Sequence, residues 1–192
     1  MPVKKQKPQQ ILDAALPVFC RHGFRKTSML DIAEAAGMSR AALYLHFKNK
    51  EDVFRSGSEQ AHADVFQKVE TALAAPGSVI ARIESALRVF QAGLLEPLST
   101  SEYAQELFDA NAALAGDITR EFRAKLVRSL KQALSDADAA GEINLAAMGA
   151  KPSELAELIL AAVDGIKHAQ AAGSRLRDGI ALLVRVLGKA LQ

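Results

Sequence analysis

The 192-residue sequence has one cysteine and no tryptophan. Its aromatic residues, all Phe or Tyr, make up only 5% of the chain. A single thiol cannot form an intramolecular disulfide or a cysteine-based zinc site. The longest uninterrupted apolar run, residues 158–163, has only six residues, whereas a membrane-spanning helix needs roughly 20. The basic N-terminus also lacks the apolar core of a signal peptide. We therefore expect a cytoplasmic protein with no membrane partner and no metal or other cofactor.

The rest of the composition is that of an ordinary globular protein. Apolar residues make up 49% of the chain and charged residues 24%, with 12 glycines and 6 prolines, which excludes the disordered and collagen-like classes. Alanine and leucine dominate, and the β-branched residues are too scattered to build a sheet. This bias favours an all-α fold.

The net charge of +2 conceals an asymmetry along the chain. Residues 1–55 contain 10 basic and 5 acidic residues, a net charge of +5, whereas residues 56–192 contain 14 and 17, a net charge of −3. This pattern is expected when only the first part of a protein meets a polyanion. A solvated charged surface is the alternative interpretation, so the charge needs a motif to support it.

Apolar periodicity and helix-capping residues predict about nine helices. Pro17 is expected to kink the first helix and Gly23 to end it. Ser28 and Asp31 form a capping-box pattern before the second helix, and Ser39 can cap the third. The predicted helices lie near residues 9–22, 29–36, 39–47, 49–74, 78–96, 101–115, 117–140, 153–172 and 174–191.

The second and third predicted helices, separated by a turn at Gly37, have the layout of a helix-turn-helix and coincide with the basic segment. If Leu43 and Phe47 point inward, the third helix presents a short outward face that fits a major groove. The expected DNA-contacting residues are Thr27, Ser28, Ser39, Arg40, Ala41, Ala42, Tyr44, Leu45, His46, Lys48 and Lys50.

These residues are expected to contact DNA in different ways. Arg40 can donate two hydrogen bonds to guanine, and the apolar side chains at positions 41, 42 and 45 suit thymine methyl groups. Phosphate contacts are expected from the hydroxyls at positions 27 and 28 and from the polar side chains at 44, 46, 48 and 50. His46 has a second interpretation, in which it only braces the first helix.

Four stretches carry a more specific signal: Gly23-Phe24, Thr27 to Ala33, Gly37 to Arg40, and Ala42 to Phe54. In this order and at this spacing they resemble the DNA-binding domain of the tetracycline-repressor (TetR) family. The resemblance covers about residues 9–55, and the remaining helices resemble the family mainly in number, length and order. The sequence departs from the family pattern at Pro17, and at positions 41 and 42, where two alanines replace the more usual Gly or Pro and Thr.

This resemblance implies a homodimeric, ligand-responsive transcriptional regulator rather than an enzyme. Such a protein is usually a repressor that binds a palindromic operator in double-stranded DNA and is released by a small-molecule effector. Residues 1–50 would form the helix-turn-helix domain, and residues 51–192 a helical bundle for effector binding and dimerisation. The resemblance implies DNA contacts at Thr27, Arg40, Ala41, Ala42, Tyr44, Leu45, His46 and Lys50.

The last two predicted helices are apolar over more than one stripe, so one side can serve the core and another a partner chain. Small residues on the first of them would let helices approach closely. The predicted dimer interface consists of Leu158, Ala162, Gly165, Ile166, Ala169, Ile180, Leu183, Val184 and Leu187. An internal bundle core without dimerisation is the alternative.

Aromatic and amide side chains on the middle helices are candidates for an effector pocket, and a mostly apolar effector is expected. The candidates are Phe66, Phe90, Gln91, Tyr103, Phe108, Asn111 and Phe122. Aromatic residues at helical spacing are also typical of an ordinary core, which stays open as the alternative.

An enzyme and a protein-binding adaptor are the alternatives to the regulator. Glu59 and His62 form one Glu-x-x-His element of the kind found in di-iron carboxylate enzymes, but that chemistry needs a second pair and two further glutamates. Cys20 lies beside Phe19 in the basic segment, where a packed thiol is more common than an activated nucleophile. A helical adaptor that binds only proteins would explain the apolar C-terminal helices but not the first 55 residues.

Overall fold

The computed structural model describes the backbone of residues 7–169 and 173–191, with side chains throughout except at residues 167–169 and 173–177. Across these ranges the regular structure is helical and contains no strand, which confirms the all-α prediction. No helix in the described ranges is both long and apolar enough to cross a bilayer. The α-helices are α1 Lys7–Lys26, α2 Met29–Ala35, α3 Arg40–Tyr44, α4 Lys50–Leu73, α5 Val79–Phe90, α6 Glu96–Ser99, α7 Ala104–Ala139, α8 Pro152–Ala169 and α9 Gly173–Ala190.

Helix α1 forms because an apolar stripe recurs every four residues, and Ile11, Ala15 and Phe19 of this stripe are buried. Pro17 keeps helical backbone angles, and the chain leaves helical geometry at Gly23 instead (φ 78, ψ 161). Pro17 lies on the exposed side of the helix, where the carbonyl that loses its hydrogen bond can face water. The backbone break therefore comes at the glycine and not at the proline.

Helix α5 begins at the capping residue Ser78, whose hydroxyl accepts a hydrogen bond from the Ala81 N–H. It continues without a gap into the π turn Gln91–Leu95 and then into α6. Sequence reasoning ends this helix before Pro97, whereas the structure continues it to Ser99. Pro97 is the second residue of α6 and follows directly on the π turn, where the backbone hydrogen-bond pattern of the helix already changes.

Helix α7 joins two predicted helices into one element of 36 residues. The expected separation at Gly116 is reduced to a single non-helical residue, Ala115 (φ −137, ψ 21). The neighbouring carbonyl of Leu114 accepts a hydrogen bond of 2.7 Å from the Arg55 guanidinium of α4. An external donor thus satisfies a carbonyl next to the break, and the helix resumes at once.

The end of α7 shows how local chemistry shapes the loop that follows. Gly141 adopts a positive φ of 70°. Its N–H bonds the Asp138 carbonyl at 3.0 Å, and the Glu142 N–H bonds the Ala137 carbonyl at 2.9 Å. This is the Schellman arrangement, which requires a left-handed residue that glycine adopts without strain. The Glu142 carboxylate then accepts a hydrogen bond from the Val79 N–H at the start of α5.

The described chain forms two compact units. The first unit contains the described residues up to His62 together with Pro97–Thr119, and the second contains Ala63–Glu96 and the residues from Arg120 onward. Each unit has its own apolar core, and α4 and α7 each contribute residues to both. The predicted division into residues 1–50 and 51–192 concerns function and stays a prediction.

Candidate nucleic-acid interface

The start of α2 is fixed by a reciprocal pair of hydrogen bonds. The Ser28 hydroxyl accepts from the Asp31 N–H at 3.2 Å, and the Asp31 carboxylate accepts from the Ser28 N–H at 2.8 Å. The predicted capping box is therefore confirmed. The bond to Ser28 lowers the pKa of the Asp31 carboxyl. The aspartate stays charged at neutral pH and stabilises the positive end of the helix.

The turn between α2 and α3 is a second Schellman arrangement. Gly37 has a φ of 67°, its N–H bonds the Glu34 carbonyl at 3.0 Å, and the Met38 N–H bonds the Ala33 carbonyl at 3.0 Å. Ser39 follows directly and caps α3 by accepting a hydrogen bond of 3.1 Å from the Ala42 N–H. Every step of the tight turn is thus specified by local residues.

One face of α3 packs on the core of the first unit, and the opposite face is exposed to solvent. Leu43 and Phe47 are buried in the core of the first unit, as the sequence predicts. The exposed members of the predicted DNA-contacting set are Ser28, Ser39, Arg40, Ala41, Tyr44, Leu45, His46 and Lys48. Leu45, which follows the last residue of α3, is 83% exposed. Its apolar side chain is therefore open to contact with a partner.

Arg40 and Tyr44 form one exposed pair on this face. The guanidinium lies 5.5 Å from the centre of the Tyr44 ring and donates a hydrogen bond of 3.3 Å to the tyrosine hydroxyl. For Arg40 to reach a base edge, its guanidinium must leave the Tyr44 ring, or the two side chains must move as one. Cation–ring attraction at an exposed site is weak, about 0.5–1 kcal/mol, so the pair can open at small cost.

Thr27 does not fit the prediction of a phosphate contact. Its side chain is 2% exposed, and its hydroxyl donates to the Gly23 carbonyl at 2.7 Å. The hydroxyl completes the end of α1 instead of facing solvent, because the chain turns inward after Gly23. We therefore remove Thr27 from the set of candidate DNA contacts.

Lys50 is likewise occupied within the protein. Its ammonium donates to the carbonyls of Phe24, Arg25 and Thr27 at 2.8, 2.8 and 3.0 Å and lies 4.8 Å from the Phe24 ring centre. A lysine has three N–H donors, and all three point at the end of α1. The expected phosphate contact would require one of these bonds to be exchanged, and it stays a prediction.

Two further residues of this region bear on the interface. Ala42 is half-buried, with its N–H used by the Ser39 cap. Leu30 on α2 is 47% exposed and is absent from the predicted set. The signal that could have found it is its position between buried Met29 and buried Ile32, off the apolar stripe of α2.

Packing beneath the interface holds α1 and α4 together. The rings of Phe19, Phe24 and Phe54 contact one another with centroids 5.2–5.7 Å apart. A Cβ added to Gly23 would lie 2.9 Å from a ring carbon of Tyr103. Glycine is therefore needed there for close approach as well as for its backbone angles.

The predicted effector-pocket residues fall into different units. Phe66, Phe90, Gln91 and Phe122 belong to the second unit, whereas Tyr103, Phe108 and Asn111 belong to the first. In the second unit the Phe122 ring stacks on Phe90 at 5.8 Å and meets Phe66 edge-on at 6.3 Å. In the first, Asn111 accepts a hydrogen bond of 2.7 Å from the Ser58 hydroxyl. The pocket stays a prediction.

A cavity of ≈ 410 Å³ in the second unit lies elsewhere. Its lining includes Glu70, Arg82, Arg128 and Asp136 and contains none of the seven predicted pocket residues. The charges of this lining are mixed in sign, which differs from the apolar pocket that the sequence suggests.

The predicted dimer residues divide between core and surface. Ile180, Val184 and Leu187 are buried in the core of a single chain, so they cannot form its outer face, and Ile166 and Leu183 are half-buried against the same core. Leu158 and Gly165 are exposed and Ala162 is half-buried. The side chain of Ala169 lies outside the described residues. Leu182 and Val186, which the prediction omits, are 54% and 56% exposed.

The competing chemistries find no support in the geometry. Among the described residues, no three His, Cys, Asp or Glu side chains are grouped so that they could hold a metal ion. Glu59 is exposed, while the His62 ring is 2.7 Å from the Ser58 carbonyl. Burial raises the pKa of the Cys20 thiol, which is the opposite of what an activated nucleophile needs.

Comparisons with known proteins agree with this geometry. The family model "Bacterial regulatory proteins, tetR family" matches residues 11–56, which contain α2, α3 and the start of α4. The transcriptional regulator AcrR of Shigella flexneri is 35% identical over 102 residues, 53% of this chain and 46% of that protein. The matched region thus spans less than half of this relative. The transcriptional repressor ComR of Escherichia coli is 26% identical over 94% of this chain and 85% of its own length.

The whole fold is shared with solved structures. SmeT of Stenotrophomonas maltophilia, described as the repressor of a multidrug efflux pump, superposes with a TM-score of 0.70 at 23% identity and covers 98% of this chain and 91% of its own. This likeness shows the fold, while the sequence match lies where the capped helix-turn-helix was found. Residues 11–56, which hold the capped helix-turn-helix, are thus similar to the tetR family of bacterial regulatory proteins.

Proposed function

We propose that the protein is a dimeric transcription regulator, acting as a repressor, that binds a palindromic operator and is released from it by a small molecule. The observation that carries the proposal is the exposed face of α3, which is capped by Ser39 and presents Arg40, Tyr44 and Leu45 to solvent. A bacterial operator lies in the cytoplasm, which is where we propose that the protein acts.

The α3 face has the size and chemistry for reading a major groove. The groove is about 12 Å wide and admits a helix, and arginine bonded to guanine is the commonest specific contact there. Arg40 is placed for this role at the N-terminal tip of α3. The side chains of Ser28, His46 and Lys48 in the same segment are exposed and are available to phosphates, which fix orientation but carry no sequence information.

Dimerisation is supported by an exposed apolar face on α8 and α9. Leu158 on α8 is 61% exposed, and Leu182 and Val186 on α9 are each more than half exposed. Large exposed apolar side chains of this kind are typical of surfaces that contact another protein. Two copies related by a twofold axis would offer two α3 helices to half-sites about 34 Å apart, or a multiple of this spacing.

Repression is supported by the relatives. ComR and SmeT are both described as repressors, and SmeT as the repressor of a multidrug efflux pump. We propose that an effector binds the second unit and acts through α4, whose first residue, Lys50, is bonded to the end of α1. A differential affinity of about 1–3 kcal/mol between two positions of α4 would change DNA affinity roughly 5–150-fold.

Selection of bound duplexes from a random DNA pool tests the proposal. The winning duplex is then titrated by fluorescence anisotropy against scrambled DNA at two salt concentrations. We expect a palindrome that binds at least about 10³-fold more tightly than scrambled DNA, with affinity falling steeply as salt rises. If protein freed of small molecules by refolding enriches no sequence, the proposal is wrong.

A further inference from the structure

The second unit contains a buried carboxamide that the chain itself does not satisfy. Gln91, the first residue of the π turn, is 4% exposed. Within the described residues its Nε2 atom has no hydrogen-bond acceptor. Buried polar groups are nearly always paired because an unpaired donor destabilises the fold, so such a group calls for a partner from outside the chain. Single π turns inside helices are also frequent at functional sites.

The π turn packs directly on the part of α4 that carries an aromatic ring. A Cβ added to Gly93 would collide with Cγ2 of Val65, so the glycine lets the Val65 side chain lie against the π turn. Phe66, the next residue, meets the ring of Phe122, and Phe122 stacks on Phe90, the residue before Gln91. The carboxamide and the three rings therefore belong to one neighbourhood of the second unit.

Two cationic side chains next to these rings already have partners. The Lys125 ammonium lies 5.9 Å from the centre of the Phe66 ring and pairs with Glu121 at 2.8 Å. Arg123 pairs with Glu157 at 2.8 Å and with Asp164 at 3.4 Å. An anionic ligand would lose its hydration here and would have to compete with the carboxylates that already pair with Lys125 and Arg123. A neutral ligand avoids this cost, and a neutral amide N–H is a suitable donor to it.

We propose that Gln91 donates a hydrogen bond to the effector, and that the effector is a neutral aromatic molecule with a carbonyl or similar oxygen acceptor. The rings of Phe66, Phe90 and Phe122 contact its aromatic part, and the Gln91 amide selects its oxygen. This inference rests on the proposed function and names the chemical class of ligand that the regulator detects.

Two pairs of compounds with matched shapes test the role of the oxygen. Acetophenone is compared with α-methylstyrene, and 2-acetylnaphthalene with 2-isopropenylnaphthalene, so that in each pair a C=O group is replaced by a C=CH2 group of similar size. Binding to the full-length protein is measured by equilibrium dialysis without DNA. We expect one or both ketones to bind about tenfold more tightly than the matched hydrocarbon, because only the ketone satisfies the buried donor.

Two variants separate the hydrogen bond from the aromatic contact. Gln91→Met keeps the length of the side chain but removes the donor, and it should bring the ketone-to-hydrocarbon ratio close to one. Phe66→Leu, the matched control, should weaken both members of a pair by a similar factor and leave the ratio unchanged. Without any ligand, Gln91→Met should raise the melting temperature by a few degrees, because an unpaired donor is removed.

The inference is overturned if neither ketone binds, or if Gln91→Met leaves the ratio as it is in the wild type. A lower melting temperature for Gln91→Met would also contradict it, because the amide would then serve the fold. Failure of the proposed function is a separate result, since dialysis requires no operator. Protein that discriminates the ketones but selects no DNA sequence would retain the ligand class and refute the regulator.

Discussion

The two compact units treat their buried polar groups differently. In the first unit, the buried Thr27 hydroxyl donates to a carbonyl and the Lys50 ammonium donates to three. In the second, the buried Nε2 of Gln91 and Nε of Arg82 have no acceptor among the described residues. Thr27 and Lys50 of the first unit thus find their partners within the chain, which suits a rigid reader of DNA. The second leaves donors unused, which suits a part that binds something else.

The exposed faces of the two units also differ, in the chemistry of their side chains. The first unit presents Arg40 and Lys48 beside Tyr44 and Leu45, a mixture that fits phosphates and base edges. The second presents Leu158, and on α9 residues 182 and 186, as a largely apolar face. Polyanion and protein partner are thus expected on different units, and each prediction below tests one side of this contrast.

The largest effect is expected from Leu182→Glu on the apolar face. A twofold interface buries this side chain twice, so its loss should weaken dimerisation by about 3–6 kcal/mol, or roughly 10²- to 10⁴-fold. Analytical ultracentrifugation measures the dissociation constant. Leu16→Glu changes a leucine of similar exposure in the first unit and should leave the dimer intact. Equal weakening by both variants would contradict the proposed face.

Gly23→Ala should destabilise the first unit by about 2–4 kcal/mol. The backbone angles of Gly23 lie in a region that other residues avoid, and the new Cβ would meet Tyr103. Urea denaturation gives the free energy of unfolding. Gly57→Ala within α4 is the control, because its Cβ would make only an ordinary contact with Leu12 of α1, and it should stabilise α4 slightly. Similar results for both glycines would show that Gly23 is not constrained.

Gly93→Ala tests the close approach in the second unit. The new Cβ would collide with Val65, and overpacking of this kind costs about 1–3 kcal/mol. Val65→Ala removes the colliding methyl groups, so the double variant should be clearly less destabilised than the sum of the single variants. Additive unfolding free energies would mean that the π turn does not pack on α4 as described.

Arg40→Ala should weaken binding to the selected duplex by about 1–3 kcal/mol and relax the preference at one base pair. Lys48→Ala is the matched comparison, since we expect its exposed ammonium to contact phosphate. It should weaken binding to all sequences alike and lower the slope of the salt dependence by about one. Anisotropy titrations on the selected and scrambled duplexes measure both. A reversed pattern would exchange the roles of the two residues.

The smallest effect is expected at an exposed ion pair of the first unit. Arg55 donates two hydrogen bonds of 2.6 and 2.7 Å to Asp117, which holds the pKa of that carboxyl well below its usual value. Stability from a lowered carboxyl pKa is present above the ordinary pKa near 4 and is lost as the pH falls. Asp117→Asn should therefore lower the melting temperature by no more than a few degrees at pH 7. The difference should shrink toward pH 2, and a constant difference would contradict the ion pair.

The features that sequence analysis predicted correctly depend on local interactions. The capping box of Ser28 and Asp31 and the cap at Ser39 involve residues three apart, so a short stretch of sequence specifies them. The same holds for the inward position of Leu43 and the outward position of Tyr44, which follow from helical periodicity.

The features that were missed depend on distant parts of the chain. Ile180, Val184 and Leu187 are buried because other helices of the second unit cover them, and periodicity alone cannot distinguish such a core stripe from a partner-facing stripe. The continuity of α7 at Ala115 is accompanied by a bond from Arg55, about 60 residues earlier.

Amide hydrogen exchange on the free protein, and on the protein bound to its selected duplex, tests the central claim most directly. The account predicts that DNA slows exchange in residues 28–50, around the two caps and α3, and that a bound ketone slows exchange around the π turn of the second unit. Slower exchange in α8 and α9 on adding DNA to preformed dimer, with no change in residues 28–50, would contradict it.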